Sequence, residues 1–167
     1  HVTGVQTCAL PIWLKLRAGK FKGPVGLERL VADPEVEFYE RSLPTNLVPN
    51  RDVGFQIFGD VAGGVLSYAA GLFNGAPDGG IAELDIDNQR EFEGRAFVSP
   101  FRKTKAAALQ GLGIGVAGTT GRRFGSSTNA GLAPYRTTAQ VNFFRYSPQV
   151  VANGSHTRLS PQANYYY

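Results

Sequence analysis

The feature that most constrains this chain is a two-residue alternation of apolar side chains with small or polar ones, repeated in segments of about ten residues. Over 158–167, Leu159, Pro161, Ala163, Tyr165 and Tyr167 fall on one side, and Arg158, Ser160, Gln162 and Asn164 on the other. Successive side chains of a strand point to opposite faces, so such a segment is a strand with one apolar and one polar face. Over 52–61, Val53, Phe55 and Ile57 oppose Gly54, Gln56 and Asp60; over 65–73, Leu66, Tyr68, Ala70 and Leu72 oppose Ser67 and Gly71. Over 92–101, Glu93, Arg95 and Ser99 share a face against Phe92, Ala96 and Val98. Over 109–119, Leu112, Ile114 and Val116 oppose a row of Gly111, Gly113 and Gly115; over 135–146, Ala139, Val141 and Phe143 oppose Gln140 and Asn142. With 13–18, the pattern predicts about seven strands.

The connections alternate in length. They run long after Gly19, short at Ala62-Gly63-Gly64, long across 74–90, short across 102–107 and long across 120–134. An up-and-down outer-membrane barrel has this alternation, with long loops outside and short turns in the periplasm. Soluble jelly rolls and lipocalin-like barrels share the strand pattern. Aromatic residues near strand ends (Phe101, Tyr135, Tyr146, Tyr165 to Tyr167) and the polarity of the inward face favour the membrane barrel, because a small soluble core cannot hold unpaired polar groups.

Several classes of function are closed off early. Val2 to Ile12, VTGVQTCALPI, matches the in-frame translation of a common sequencing adapter, so 1–12 is read as non-native and set aside. Cys8 goes with it, leaving no cysteine for a disulfide, thiolate metal site or nucleophile. His156 is then the single histidine and cannot build a His-rich metal site. No run approaches the roughly 18 apolar residues of a membrane-spanning helix.

Charge is unevenly placed. All 13 acidic residues lie at or before Glu93, whereas Arg95, Arg102, Lys103, Lys105, Arg122, Arg123, Arg136, Arg145 and Arg158 follow it without one acid between them. A purely cationic second half attracts anions, whether nucleic acid, lipid phosphates or small solutes.

A resemblance narrows the choice. Gly19-Lys20-Phe21-Lys22-Gly23-Pro24-Val25-Gly26-Leu27-Glu28, then Glu40-Arg41-Ser42-Leu43-Pro44-Thr45-Asn46 and Pro49-Asn50-Arg51-Asp52-Val53-Gly54, resemble the phosphate-selective porin O and P family. Ser67 to Gly75 and Ser160-Pro161-Gln162 with the terminal tyrosines extend the likeness over 13–167. The resemblance implies an all-β, antiparallel up-and-down transmembrane barrel of about sixteen strands, of which this chain holds fewer than half. It further implies a homotrimer in the outer membrane of a Gram-negative bacterium, surrounded by lipid and lipopolysaccharide. A loop near 20–51 is expected to fold inward. The barrel passes phosphate, polyphosphate or related anions passively, with no enzymatic activity, cofactor or nucleic acid.

An anion channel needs cations that replace part of the hydration shell without trapping the ion. Two groups fit: Lys15, Arg17, Lys20, Lys22 and Arg29, running from a strand into the long loop, and Arg95 and Arg158 on inward faces. Ser99, Gln140, Ser160, Gln162 and Asn164 are candidate neutral donors along the wall, and Glu93, on the same face as Arg95, is its expected partner. Arg122, Arg123 and Arg102-Lys103-Lys105 read as solvated ends, Glu83, Asp85, Asp87 and Asn88 as an exposed acidic loop, and Asn153-Gly154-Ser155 as a turn. A general, non-selective porin is the main alternative. A soluble basic β-protein holding nucleic acid would place aromatic and basic residues together, as Phe143-Phe144-Arg145-Tyr146 does weakly. A hydrolase built on His156 with Ser155 or Ser160 is disfavoured for the first pair, since adjacent strand residues face apart.

Overall fold

The computed structural model describes residues 6–9, 11–36, 38–81 and 88–166. The strands are β1 (Gln6–Ala9), β2 (Lys15–Phe21), β3 (Asp52–Val61), β4 (Leu66–Phe73), β5 (Glu91–Val98), β6 (Leu112–Phe124), β7 (Tyr135–Arg136), β8 (Asn142–Phe144) and β9 (Asn153–Tyr165). Two four-residue helices, α1 (Leu27–Leu30) and α2 (Ala107–Gln110), and short 3-10 turns at Asp33–Glu35 and Leu43–Leu47 lie in the connections. The fold is all-β. Seven strands form one antiparallel sheet in the order β1-β2-β3-β4-β5-β6-β9, an up-and-down meander that stays open between β1 and β9.

The register puts the predicted faces where the alternation placed them. Phe55 pairs with Leu72, Leu72 with Phe92, Ala96 with Val116 and Val116 with Pro161, so one face is apolar from strand to strand. On the other, Gln56 pairs with Gly71, Gly71 with Glu93, Glu93 with Thr119 and Thr119 with Arg158. Phe55, Leu72, Phe92, Ile114, Val116 and Leu159 all stand exposed, the last at 77%. The polar face is the covered one, with Asp52, Gln56, Glu91, Glu93, Thr119 and Gln162 buried.

The long connections cause this inversion. Loops 22–51, 74–90 and 125–152 leave the same end of the sheet, and the first lays Val25 and Val48 on Ala117 of β6 in a small apolar core. Neighbouring loops are tied backbone to backbone, with Gly79 N donating to Val48 O at 2.9 Å and Asn50 N to Gly80 O at 2.8 Å. Phe21 meets Phe73 edge to face at 5.4 Å between ring centroids. The glycine row of β6 has a packing role: a Cβ on Gly113 or Gly115 would come within 2.5 Å of the Phe97 ring. At the other end, β3 turns into β4 through Ala62, Gly63 and Gly64, all at positive φ, the region glycine enters without steric cost.

Two predicted elements differ. The segment 135–146 is not a wall strand. It folds on itself as the β7–β8 hairpin inside loop 125–152, turning at Gln140 (φ 62) with Gln140 N bonded to Thr137 O. Gln140 is therefore a turn residue, not a donor along the wall. The sheet keeps seven strands because β1 pairs with β2, from Gln6 opposite Ala18 to Ala9 opposite Lys15. The acidic stretch Glu83, Asp85 and Asp87 and the terminal Tyr167 lie outside the described residues.

Candidate functional site

The polar face of β2 carries Lys15 and Arg17, opposite Phe58 and Gln56 in the ladder. Arg17 Cζ lies 4.7 Å from the Phe58 ring centroid and 5.3 Å from that of Phe21, and Lys15 Nζ 5.8 Å from Phe58. An aromatic face steadies a cation without neutralising it, at about 0.5–1 kcal/mol where water still reaches. Among the described residues neither is ion-paired, so no carboxylate offsets either of them.

The other predicted cations do not join them. Lys20 is in register with Val53, on the apolar side, and Lys22 follows the strand into the loop. Arg29, in α1, donates through Nη2 to the carbonyl of Thr45. Within the same loop, the Glu28 carboxylate accepts the Ser42 amide at 2.9 Å, the Ser42 hydroxyl, and the Thr45 hydroxyl at 3.1 Å. Burial pushes the Glu28 carboxyl up, but these bonds and the nearby Arg41 charge outweigh it and hold the group below its ordinary value.

Arg95 and Arg158 both reach the polar face, with different surroundings. Arg95 does not pair with Glu93. It lies 4.6 Å from the Phe97 ring and crosses β6 to donate to Gln162 Oε1 of β9 at 2.9 Å, a path left open by Ala117 and the glycine row. Glu93 is fully buried beneath Gly23 of the first loop, and neither carboxylate oxygen has a hydrogen-bond partner among the described residues.

Arg158 is the hub of a network that sequence reasoning missed. It bonds to Asp78 at 2.7 Å, to Glu91, to the Thr119 hydroxyl at 3.0 Å and to the Ala76 carbonyl at 3.2 Å. Arg123 Nη2 sits 3.6 Å from Glu91 and donates to the carbonyls of Gly75 and Ala76 at 2.9 and 3.0 Å. Asp52 accepts the amides of the same two residues at 2.7 and 2.8 Å. Three strands thus clamp Gly75-Ala76 down on the sheet, and the late cations meet the early acids in space. Arg123 is a correction: β6 runs on to Phe124, so the residue faces inward and is not a solvated end. Thr119-Thr120-Gly121-Arg122-Arg123-Phe124 shows no apolar and polar alternation, so period two gave no sign that the strand runs on, and for Asp78, in an irregular loop, there was no signal either.

Ser155 and His156 point to opposite faces of β9, and Ser160 is four positions farther along, so neither of these serines is placed beside the imidazole. His156 Nδ1 instead lies 4.0 Å from Glu91. Compared with known family models, curated proteins and solved structures, the chain matches none.

Proposed function

We propose that the chain is part of the wall of an outer-membrane pore that passes anions, phosphate and its condensed forms among them. One observation carries the reading: a seven-stranded meander whose exposed face is apolar and whose covered face is polar, the reverse of a soluble sheet. Lipid satisfies an exposed apolar face, whereas water would expel it. Along β6 the apolar outward positions run from Leu112 to Gly118, about 20 Å of strand, and give way to Thr120 and Arg122. The likeness to phosphate-selective porins points to a homotrimer in a Gram-negative outer membrane.

Among the pore-facing cations, Lys15 and Arg17 are the anion-guiding pair, because Arg158 and Arg123 are matched by Asp78 and Glu91 and Arg95 is tied down to Gln162 across β6. Their rigid aromatic seats fix two positive charges without closing the guanidinium fork and ammonium to a passing phosphate. A general porin is the second reading, favoured by the neutralised Arg158 network. Conductance, in a planar bilayer, of the complete barrel to which this wall belongs separates them. Millimolar phosphate should block chloride current, and Arg17→Gln with Lys15→Gln should relieve the block; large currents indifferent to phosphate would leave a general porin.

A further inference from the structure

The loop end of the molecule holds a cleft of about 460 Å³ between all three long loops, away from Lys15 and Arg17. We propose that it binds a small polyhydroxylated organic anion of the sugar-phosphate class, the acid group on Arg136 and the hydroxyls on Asn46 and Asn129.

Size sets the class first. Pockets for small organic molecules run to about 300–1,000 Å³, and a bare tetrahedral anion would fill only a fraction of this one. The polar groups set it next. Arg136 donates Nε to Asn142 Oδ1 at 3.1 Å, which orients the guanidinium and leaves its terminal nitrogens for an oxyanion. Asn46 donates Nδ2 to the carbonyls of Arg136 and Thr137 at 3.4 and 3.2 Å, leaving its oxygen as an acceptor. Asn129 does the reverse, accepting Gly131 N on Oδ1 at 3.1 Å and keeping its amide donors. A sugar hydroxyl both donates and accepts, so one amide of each kind matches it. The hydroxyls of Ser126 and Thr128, 3.0 Å apart, add to that wall.

Charge agrees. Arg123 and Arg136 line the cleft against one carboxylate, Asp78, which is already bound to Arg158. The walls are also set in advance: Gly79 and Gly131 hold positive φ, and Ser126 N bonds Asn129 O at 2.7 Å and Ala152 N bonds Ala130 O at 2.8 Å across the loop. A preformed site keeps the ordering cost of binding low. The cleft does not depend on conduction through the sheet, so it stands or falls apart from the pore.

Titration calorimetry on the protein in detergent micelles tests it, with glucose 6-phosphate as probe and glucose and inorganic phosphate as comparators. Glucose 6-phosphate should bind at least about tenfold more tightly than either comparator, and Arg136→Gln should weaken it about tenfold. Asn129→Ala, an exposed loop change that leaves the charge intact, should also weaken it, and Arg102→Gln at the opposite end of the sheet should not. Inorganic phosphate binding as tightly as glucose 6-phosphate, no binding heat, or the same affinity in Arg136→Gln and Asn129→Ala as in the parent would overturn the proposal.

Discussion

Arg158 shows what a buried cation costs when its partners are lost. Its side chain is 9% exposed, and it answers Asp78 and Glu91 at once. Arg158→Ala would strip Asp78 of its guanidinium partner and leave Glu91 to Arg123 alone, and removal of one member of a buried pair costs about 3–5 kcal/mol. Urea titration in detergent should show a loss of that size, and a change below about 1 kcal/mol, the scale of a surface pair, would mean that water reaches the network. Arg95→Ala should cost less, since Arg95 gives up a neutral amide partner and leaves no charge behind. Strand alternation was enough to place both arginines on the inward face. Their partners were not legible, because Asp78 comes from an irregular loop and Glu91 lies one residue before the strand segment that the pattern marked.

Glu28 gives the loop a pH dependence of known sign. Its folded carboxyl sits below its ordinary value of 4.5, so the tether to Ser42 and Thr45 is complete above that pH and is lost as pH falls through the lower folded value. Protection of the Ser42 amide against hydrogen exchange should fall in acid relative to Glu28→Gln, whose protection should be weaker throughout and free of that step. Parallel profiles in the two proteins would remove Glu28 from the tether.

Among the elements, β6 depends on its glycines as seats for a ring. A side chain at Gly113 would collide with Phe97 and with Asn164 Oδ1, 2.3 Å from the added Cβ. Gly113→Leu should therefore destabilise the sheet by about 1–3 kcal/mol, the range of an overpacked site. Pairing it with Phe97→Ala should recover part of the loss, and equal losses in the single and double variants would separate the glycine from the ring. The glycine row was visible in the sequence, but its purpose was not, because Phe97 belongs to the preceding strand. The β7–β8 hairpin was hidden for another reason. Its turn, Thr137-Thr138-Ala139-Gln140-Val141, has none of the glycine, proline or asparagine that marks a reversal, and its alternation continues on both sides. The ring stack of Tyr135, Phe144 and Tyr146, with centroids 5.1 to 6.3 Å apart, closes the hairpin instead.

At the scale of the whole molecule, the sheet is open, with an apolar outside and a polar, loop-covered inside; in the proposed pore wall, lipid meets the first and neighbouring strands its edges. The meander order and the face assignment were legible because both follow from period two and from loop length. The charge matching was not: it depends on which strands become neighbours, and β9 reaches β6 only because 135–146 drops out of the wall. The central claim is that the apolar face touches lipid. It is tested most directly by a fluorophore placed in turn at Leu159, Ser160, Pro161, Gln162 and Ala163 through single cysteines, with Cys8 replaced, in vesicles containing brominated lipid or aqueous iodide. The account predicts that the lipid quencher acts at 159, 161 and 163 and not at 160 or 162, the covered face where Gln162 is buried. Quenching without that two-residue period, or iodide reaching all five positions equally, would contradict it.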